Sequence, residues 1–213
     1  MHLTLAIIST LFILVPLLTG LGTVKRAGMT FRLFVLFLLA GFVTDCLSWY
    51  KNVAPGVTTE QGLFIDGLYQ LYSALEAAFF FWFISAVASP GWLHKAARYA
   101  LWLTVPVWLV IGVFSPFRGL FDATYQVLVA FLSAGVLLQY IEREPQPLRQ
   151  PHFILLAGIF FYTLSTFVIV LLAKTPLADQ LWFLHNAVNI LTYVVYTVGF
   201  ALQIKTGAVQ THR

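Results

Sequence analysis

The sequence has little charge: of its 213 residues, 9% are Asp, Glu, Lys or Arg, against about a quarter in an ordinary soluble domain. Hydrophobic residues make up 60% and the mean hydropathy is +0.88, which argues against a water-soluble fold. Cysteine is nearly absent. The single Cys46 lies in an apolar run, which excludes an internal disulfide or a multi-cysteine metal site, and it reads as a small buried hydrophobe. Glycine-rich phosphate loops, HExxH zinc motifs and serine-nucleophile elbows are all missing. The last apolar stretch, 178 to 204, holds no lysine, so a retinal Schiff base cannot form there. Of His2, His94, His152, His185 and His212, only His185 lies well inside an apolar stretch, which speaks against a bis-histidine haem. The formal net charge of +4 comes from basic residues scattered through the turns, and gives no basis for nucleic-acid binding. No cofactor is called for.

What the chain does have is long apolar runs. A helix crossing a bilayer needs about 20 such residues at about 1.5 Å rise each. The runs fall at about 3–22, 29–50, 61–88, 93–114, 119–142, 151–173 and 178–204. They are separated by helix stops such as Pro55-Gly56, Ser89-Pro90-Gly91, Ser115-Pro116 and Lys174-Thr175-Pro176. The expectation is a single all-α domain of seven transmembrane helices over residues 1–213, with no room left for a soluble domain. The first run has no basic residue before it and is too long for a signal core, so it reads as a retained first helix.

Orientation follows from the basic residues. Lys25, Arg26, Arg32, Lys95, Arg98, Arg143, Arg149, Lys205 and Arg213 fall at one end of the runs, and only Lys51, Arg118 and Lys174 at the other. The richer end is expected to be cytoplasmic. Seven spans then put the N-terminus out and the C-terminus in. Glu60, Asp66, Asp122 and Asp179 fall near the outer end. Pro16 and Pro106, inside the first and fourth runs, predict kinks. Trp49, Trp92, Trp182, Tyr50 and Tyr99 lie near run ends as interfacial anchors.

The informative residues are the polar ones within apolar spans, since a central ionisable group costs at least about 2.5 to 3.5 kcal/mol. Glu76 lies near the middle of the third span. Asp66, Tyr69, Ser73 and Glu76 share one helical face by their spacing, with Tyr72 beside it. The seventh span carries a matching stripe of Trp182, His185, Asn189, Tyr193 and Tyr196, flanked by Asn186. The two stripes are expected to face each other. Asp45 with Thr44 and Ser48, Tyr125 with Gln126, and Tyr162 with Thr163 and Thr166 are candidates for the same interior. By depth they form a polar cluster in the outer half of the bundle, floored by Glu76. The hydroxyls and Asn186 can equally be interhelical hydrogen-bonding glue at about 0.6 kcal/mol each. A midplane carboxylate is by default a functional candidate, and His185 can pair with Glu76 or Asp45.

The segments 68–76 (LYQLYSALE) and 181–191 (LWFLHNAVNIL), with Gly158 to Tyr162 between them, resemble an uncharacterised family of small bacterial seven-helix membrane proteins. That resemblance implies the fold and carries no established activity. A looser similarity links the chain to the seven-helix sensor modules of bacterial histidine kinases. This chain departs from them by ending soon after Lys205, so any signal must pass to a separate membrane or cytoplasmic partner, or there is no signalling at all.

The sequence therefore predicts a multi-pass protein of the bacterial inner (plasma) membrane, open to self-association, and a binding protein rather than an enzyme. A small, unidentified ligand is expected among Glu76, His185, Asn189, Asp45, Tyr69, Tyr72, Gln126, Tyr162, Trp182, Tyr193 and Tyr196, as in a sensor or receptor. One alternative is a proton-coupled transporter using Glu76. Another is an intramembrane metal-dependent hydrolase with zinc on His185, Asp45 and Glu76, which has only one histidine to offer.

Overall fold

The computed structural model describes residues 2–24, 28–53, 56–113, 118–172, 175 and 178–210, with a few side chains inside those ranges, Trp182 among them, outside the description. The described residues are helical almost throughout, with no strand. The helices are α1 (His2–Phe12), α2 (Leu14–Thr23), α3 (Met29–Val53), α4 (Thr59–Val87), α5 (Trp92–Val107), α6 (Arg118–Arg143), α7 (Pro151–Leu172) and α8 (Ala178–Gln210). Among the described residues six rods are long and apolar enough to cross a membrane: Thr4–Thr23, Met29–Lys51, Thr59–Val87, Gly119–Arg143, Pro151–Leu172 and Phe183–Thr206. The chain is thus a helical, multi-pass membrane protein by length and hydropathy. Its outward faces agree: Leu36, Leu39 and Val43 on α3, Leu164, Val168 and Leu171 on α7, and Leu191, Val194 and Val198 on α8 are exposed at helical spacing. Apolar stripes of that extent do not face water in a soluble monomer.

The fourth expected span differs from the other six. Its α-helix has only 16 residues and continues as a π-helical segment, Trp108–Val113. Pro106 supplies the reason, because a residue without an N–H inside a helix invites a change of hydrogen-bond register. The rod nevertheless runs antiparallel along α4: His94 Nδ1 lies 2.8 Å from the Ser85 carbonyl, and Trp108 Nε1 donates to the Gln70 carbonyl at 3.0 Å. Pro16 acts similarly in the first span. It cannot donate to the carbonyl of Phe12, and the helix breaks there, between α1 and α2.

Helix ends follow local chemistry. Thr58 caps α4, accepting from the Gln61 N–H at 3.3 Å, while Gln61 Oε1 accepts from the Thr58 N–H at 3.0 Å. This reciprocal pair satisfies two of the helix's orphan donors. Pro151 opens α7, at a position where a missing N–H costs nothing.

The packing closes on itself. α2 packs on α3, α3 on α4, α4 on α6, α6 on α7, α7 on α8, and α8 back on α1 and α2, while α5 lies against α4 and α6. Toward the basic end the centre is aromatic. Phe34 meets Phe37, Phe79, Phe83, Tyr196 and Phe200 edge-on, and Phe34, Phe80, Phe83 and Phe200 have no exposure at all. Cys46 departs from expectation. It is exposed, not buried, because it follows Asp45 by one residue on α3 and so points away from the face that carries Asp45 inward.

Small residues set the α7–α8 approach. A Cβ added at Gly158 would fall 2.6 Å from Tyr196 Cε1, and one at Gly199 2.7 Å from Leu155 Cδ2. Membrane helices draw together where such residues face a neighbour. Gly158→Ala and Gly199→Ala are each expected to destabilise the protein by about 1–3 kcal/mol through overpacking, seen as a lower melting temperature in detergent. Gly22→Ala, with nothing within 4 Å of its added Cβ, should not lower it.

Candidate functional site

The helices enclose a cavity of about 490 Å³, within the size range of small-molecule sites. α3 gives it Gly41 and Asp45, and α4 gives Tyr69, Tyr72, Ser73 and Glu76. Asp122, Tyr125 and Gln126 come from α6, Tyr162, Thr166, Ile169 and Val170 from α7, and Leu181, His185, Asn189 and Tyr193 from α8. On each helix these positions run from the end carrying few basic residues to about the midpoint, where Glu76, Tyr162 and Tyr193 lie. A void of about 30 Å³ continues beneath, between Tyr72, Glu76, Phe80, Tyr162, Thr192, Tyr193 and Tyr196. That is room for about one water molecule. Below it the phenylalanine layer closes the bundle.

Each carboxylate in the wall has a hydroxyl partner from another helix. Tyr125 donates to Glu76 Oε2 at 3.1 Å, with Tyr162 a second hydroxyl partner of the same group. Ser73 donates to Asp122 Oδ1. Thr10 of α1 donates to Asp45 Oδ2 at 3.5 Å and itself accepts from Trp49 Nε1 at 3.1 Å. The α4–α6 bonds keep one register: Ser73 to Asp122 and Glu76 to Tyr125 are each 49 positions apart. The two helices therefore run parallel, with one polar face meeting the other. On α8, Asn189 Nδ2 lies 3.3 Å from His185 Nε2, one turn away.

Among the described residues no lysine or arginine lines the cavity. Lys51 pairs with Asp66 at 2.5 Å, in a separate pocket that also includes Thr44, Ser48 and Tyr69. Among the described residues no three or more His, Cys, Asp or Glu side chains are grouped to hold a metal ion, so His185, Asp45 and Glu76 do not converge on a zinc position.

Nine of the eleven residues singled out from the sequence line this cavity: Glu76, His185, Asn189, Asp45, Tyr69, Tyr72, Gln126, Tyr162 and Tyr193. Tyr196 sits lower, in the small void, with its ring against Phe34. The Trp182 side chain lies outside the described residues. Asp66, expected on the Glu76 face, is drawn aside by Lys51. Asp122, read from the sequence as a residue of the outer end only, is part of the wall. Its spacing of three and four from Tyr125 and Gln126 puts all three on one helical face, and that was the signal available. Thr10 was missed as the partner of Asp45, and Trp49 as the donor to Thr10, because nothing in the sequence aligns α1 with α3.

Comparison with protein-family models, with curated proteins and with solved structures found no match.

Glu76 is 5% exposed and Tyr125 4%, so loss of their bond leaves a buried acceptor short of a donor. Tyr125→Phe should destabilise the protein by about 1–3 kcal/mol. In a double-mutant cycle with Glu76→Gln, the coupling should exceed about 0.5 kcal/mol, measured by thermal or chemical denaturation in detergent.

Proposed function

We propose that the chain is a seven-helix receptor-like protein of the plasma membrane that binds a small ligand in the outer half of its bundle. The observation that carries this reading is the polar cavity of about 490 Å³ fed by α3, α4, α6, α7 and α8. Helices that needed only to adhere to one another would close around their polar groups, as the phenylalanines do beneath, and would leave no such volume. The cavity can admit a molecule of about the size that small-molecule pockets hold. In it Glu76 supplies charge or a proton, His185 and Asn189 supply orientation, and the tyrosines supply aromatic walls.

The fourth rod is read here as the seventh crossing. The antiparallel run of α5 and its π-helical continuation along α4, from Ser85 to Gln70, supports this. With seven crossings and the basic residues counted as above, the N-terminus is outside and the C-terminus in the cytoplasm. The resemblance to sensor modules favours a signalling role. A proton-coupled transporter is the weaker reading, because the polar volume narrows at Glu76 to a void of about 30 Å³ and the helix halves below it are packed with aromatic rings.

Two measurements test the proposal. Fused to the C-terminus, green fluorescent protein should fluoresce and alkaline phosphatase should be inactive; the reverse pattern would overturn the topology. In a broad small-molecule screen read by thermal shift, wild-type protein should be stabilised by some compounds, and that shift should fall or vanish in Glu76→Gln and His185→Ala. Unchanged shifts in both variants would remove the cavity from the reading.

A further inference from the structure

The proposed pocket has a sign. Asp45, Glu76 and Asp122 reach it from three different helices, and among the described residues no lysine or arginine lines it. The amide hydrogen-bonding capacity left open in the wall has the same character. Gln126, 3% exposed, keeps its Oε1 without a partner, while Tyr125 takes up its side chain on the other side. Asn189 likewise uses its Nδ2 toward His185 and leaves Oδ1 buried without a partner. Both of these groups are acceptors, and the Thr166 hydroxyl, also buried in the wall without a partner, can accept as well as donate. A buried acceptor with no donor is costly, so the wall is built to receive hydrogen-bond donors.

We infer that the ligand is an organic cation bearing N–H groups, a primary or secondary ammonium on an apolar or aromatic body, with its charge among Asp45, Glu76 and Asp122. This rests on the pocket reading proposed above and assigns its chemical class. Three features select it over other ligands. An anion would meet three carboxylates and, among the described residues, no lysine or arginine. A metal ion is too small, since among the described residues the acidic groups do not gather around one point. An ammonium on a larger body can span groups that do not converge, offering N–H donors to the carboxylates and to Gln126 Oε1 or Asn189 Oδ1. The tyrosines lining the same cavity, Tyr69, Tyr72, Tyr125, Tyr162 and Tyr193, suit a cation through the negative faces of their rings, and its apolar body through their area.

The test uses purified full-length protein in lipid nanodiscs and three probes of one shape: 2-phenylethylammonium, neutral 2-phenylethanol and anionic phenylacetate. The expected result is saturable binding of 2-phenylethylammonium, by calorimetry or thermal shift, at least tenfold tighter than of either other probe. Asp122→Asn and Asp45→Asn, each similar in shape to the original, should each weaken the ammonium probe several-fold and leave 2-phenylethanol unchanged. Binding of the alcohol or the carboxylate as tight as that of the ammonium would overturn the assignment of charge while leaving the pocket reading intact. No binding of any probe at millimolar concentration would overturn both.

Discussion

A carboxylic acid near the middle of a membrane-spanning helix is costly unless its oxygens are satisfied by protein, and the pairing of Glu76 with Tyr125 is how this chain meets that demand. The bond constrains much else. Both groups are rigidly placed on long helices, so α4 and α6 must lie side by side, parallel and in one register for the hydroxyl to reach. The Ser73–Asp122 bond three residues along repeats that register. Once α4 and α6 are fixed, the face of α4 that carries Tyr69, Tyr72 and Glu76 is turned toward α7 and α8. A polar volume then has to exist wherever those two helices fail to fill it.

The packing below that volume follows from sequence of a different kind. Where the half away from the basic end offers tyrosine and carboxylate, the half toward it offers phenylalanine, and rings stack or meet edge-on without polar groups to satisfy. Phe37 and Phe79 lie with ring centroids 4.2 Å apart and planes nearly parallel. Glycines serve both halves by letting large rings come close. At Gly41 a Cβ would fall 2.8 Å from the Tyr72 hydroxyl, and at Gly20 it would fall 2.6 Å from Val35 Cγ2. The same small-residue rule draws α7 against α8.

Much of this was legible in the sequence because a membrane simplifies the reading. Apolar runs long enough to span are hard to mistake, and a polar residue inside one must face protein. That logic found Glu76, Asp45, His185 and Asn189 and turned each of them inward. It failed where the deciding fact was a neighbour. Lys51 takes Asp66 away from the interior, and Thr10 meets Asp45 across 35 positions of sequence; no periodicity on a single helix carries such information. Cys46 was misjudged because residence in an apolar run says nothing about which side of the helix a residue takes. In a membrane the outward side is as apolar as the core. The fourth rod was legible as a run but not as a hydrogen-bond pattern, since the consequence of Pro106 for the turns after it depends on how α5 lies against α4 and α6.

The contrast between the two halves also limits how the molecule can move. Tyr72 belongs to both the large cavity and the small void, and its ring lies parallel to that of Phe37 at a centroid distance of 6.2 Å. Phe37 in turn packs on Phe34, Phe79 and Phe80. A displacement of Tyr72 is therefore opposed by a connected aromatic layer that is close-packed and yields little. Opening a path through that layer would separate several fully buried rings at once. Tilting α4 as a unit would keep Phe79 against Phe80 and Phe83 but would part all of them, with Tyr72, from Phe34 and Phe37 of α3. A force applied at Glu76 is accordingly resisted on two faces of α4, by the rings of α3 and by the hydrogen bonds to α6.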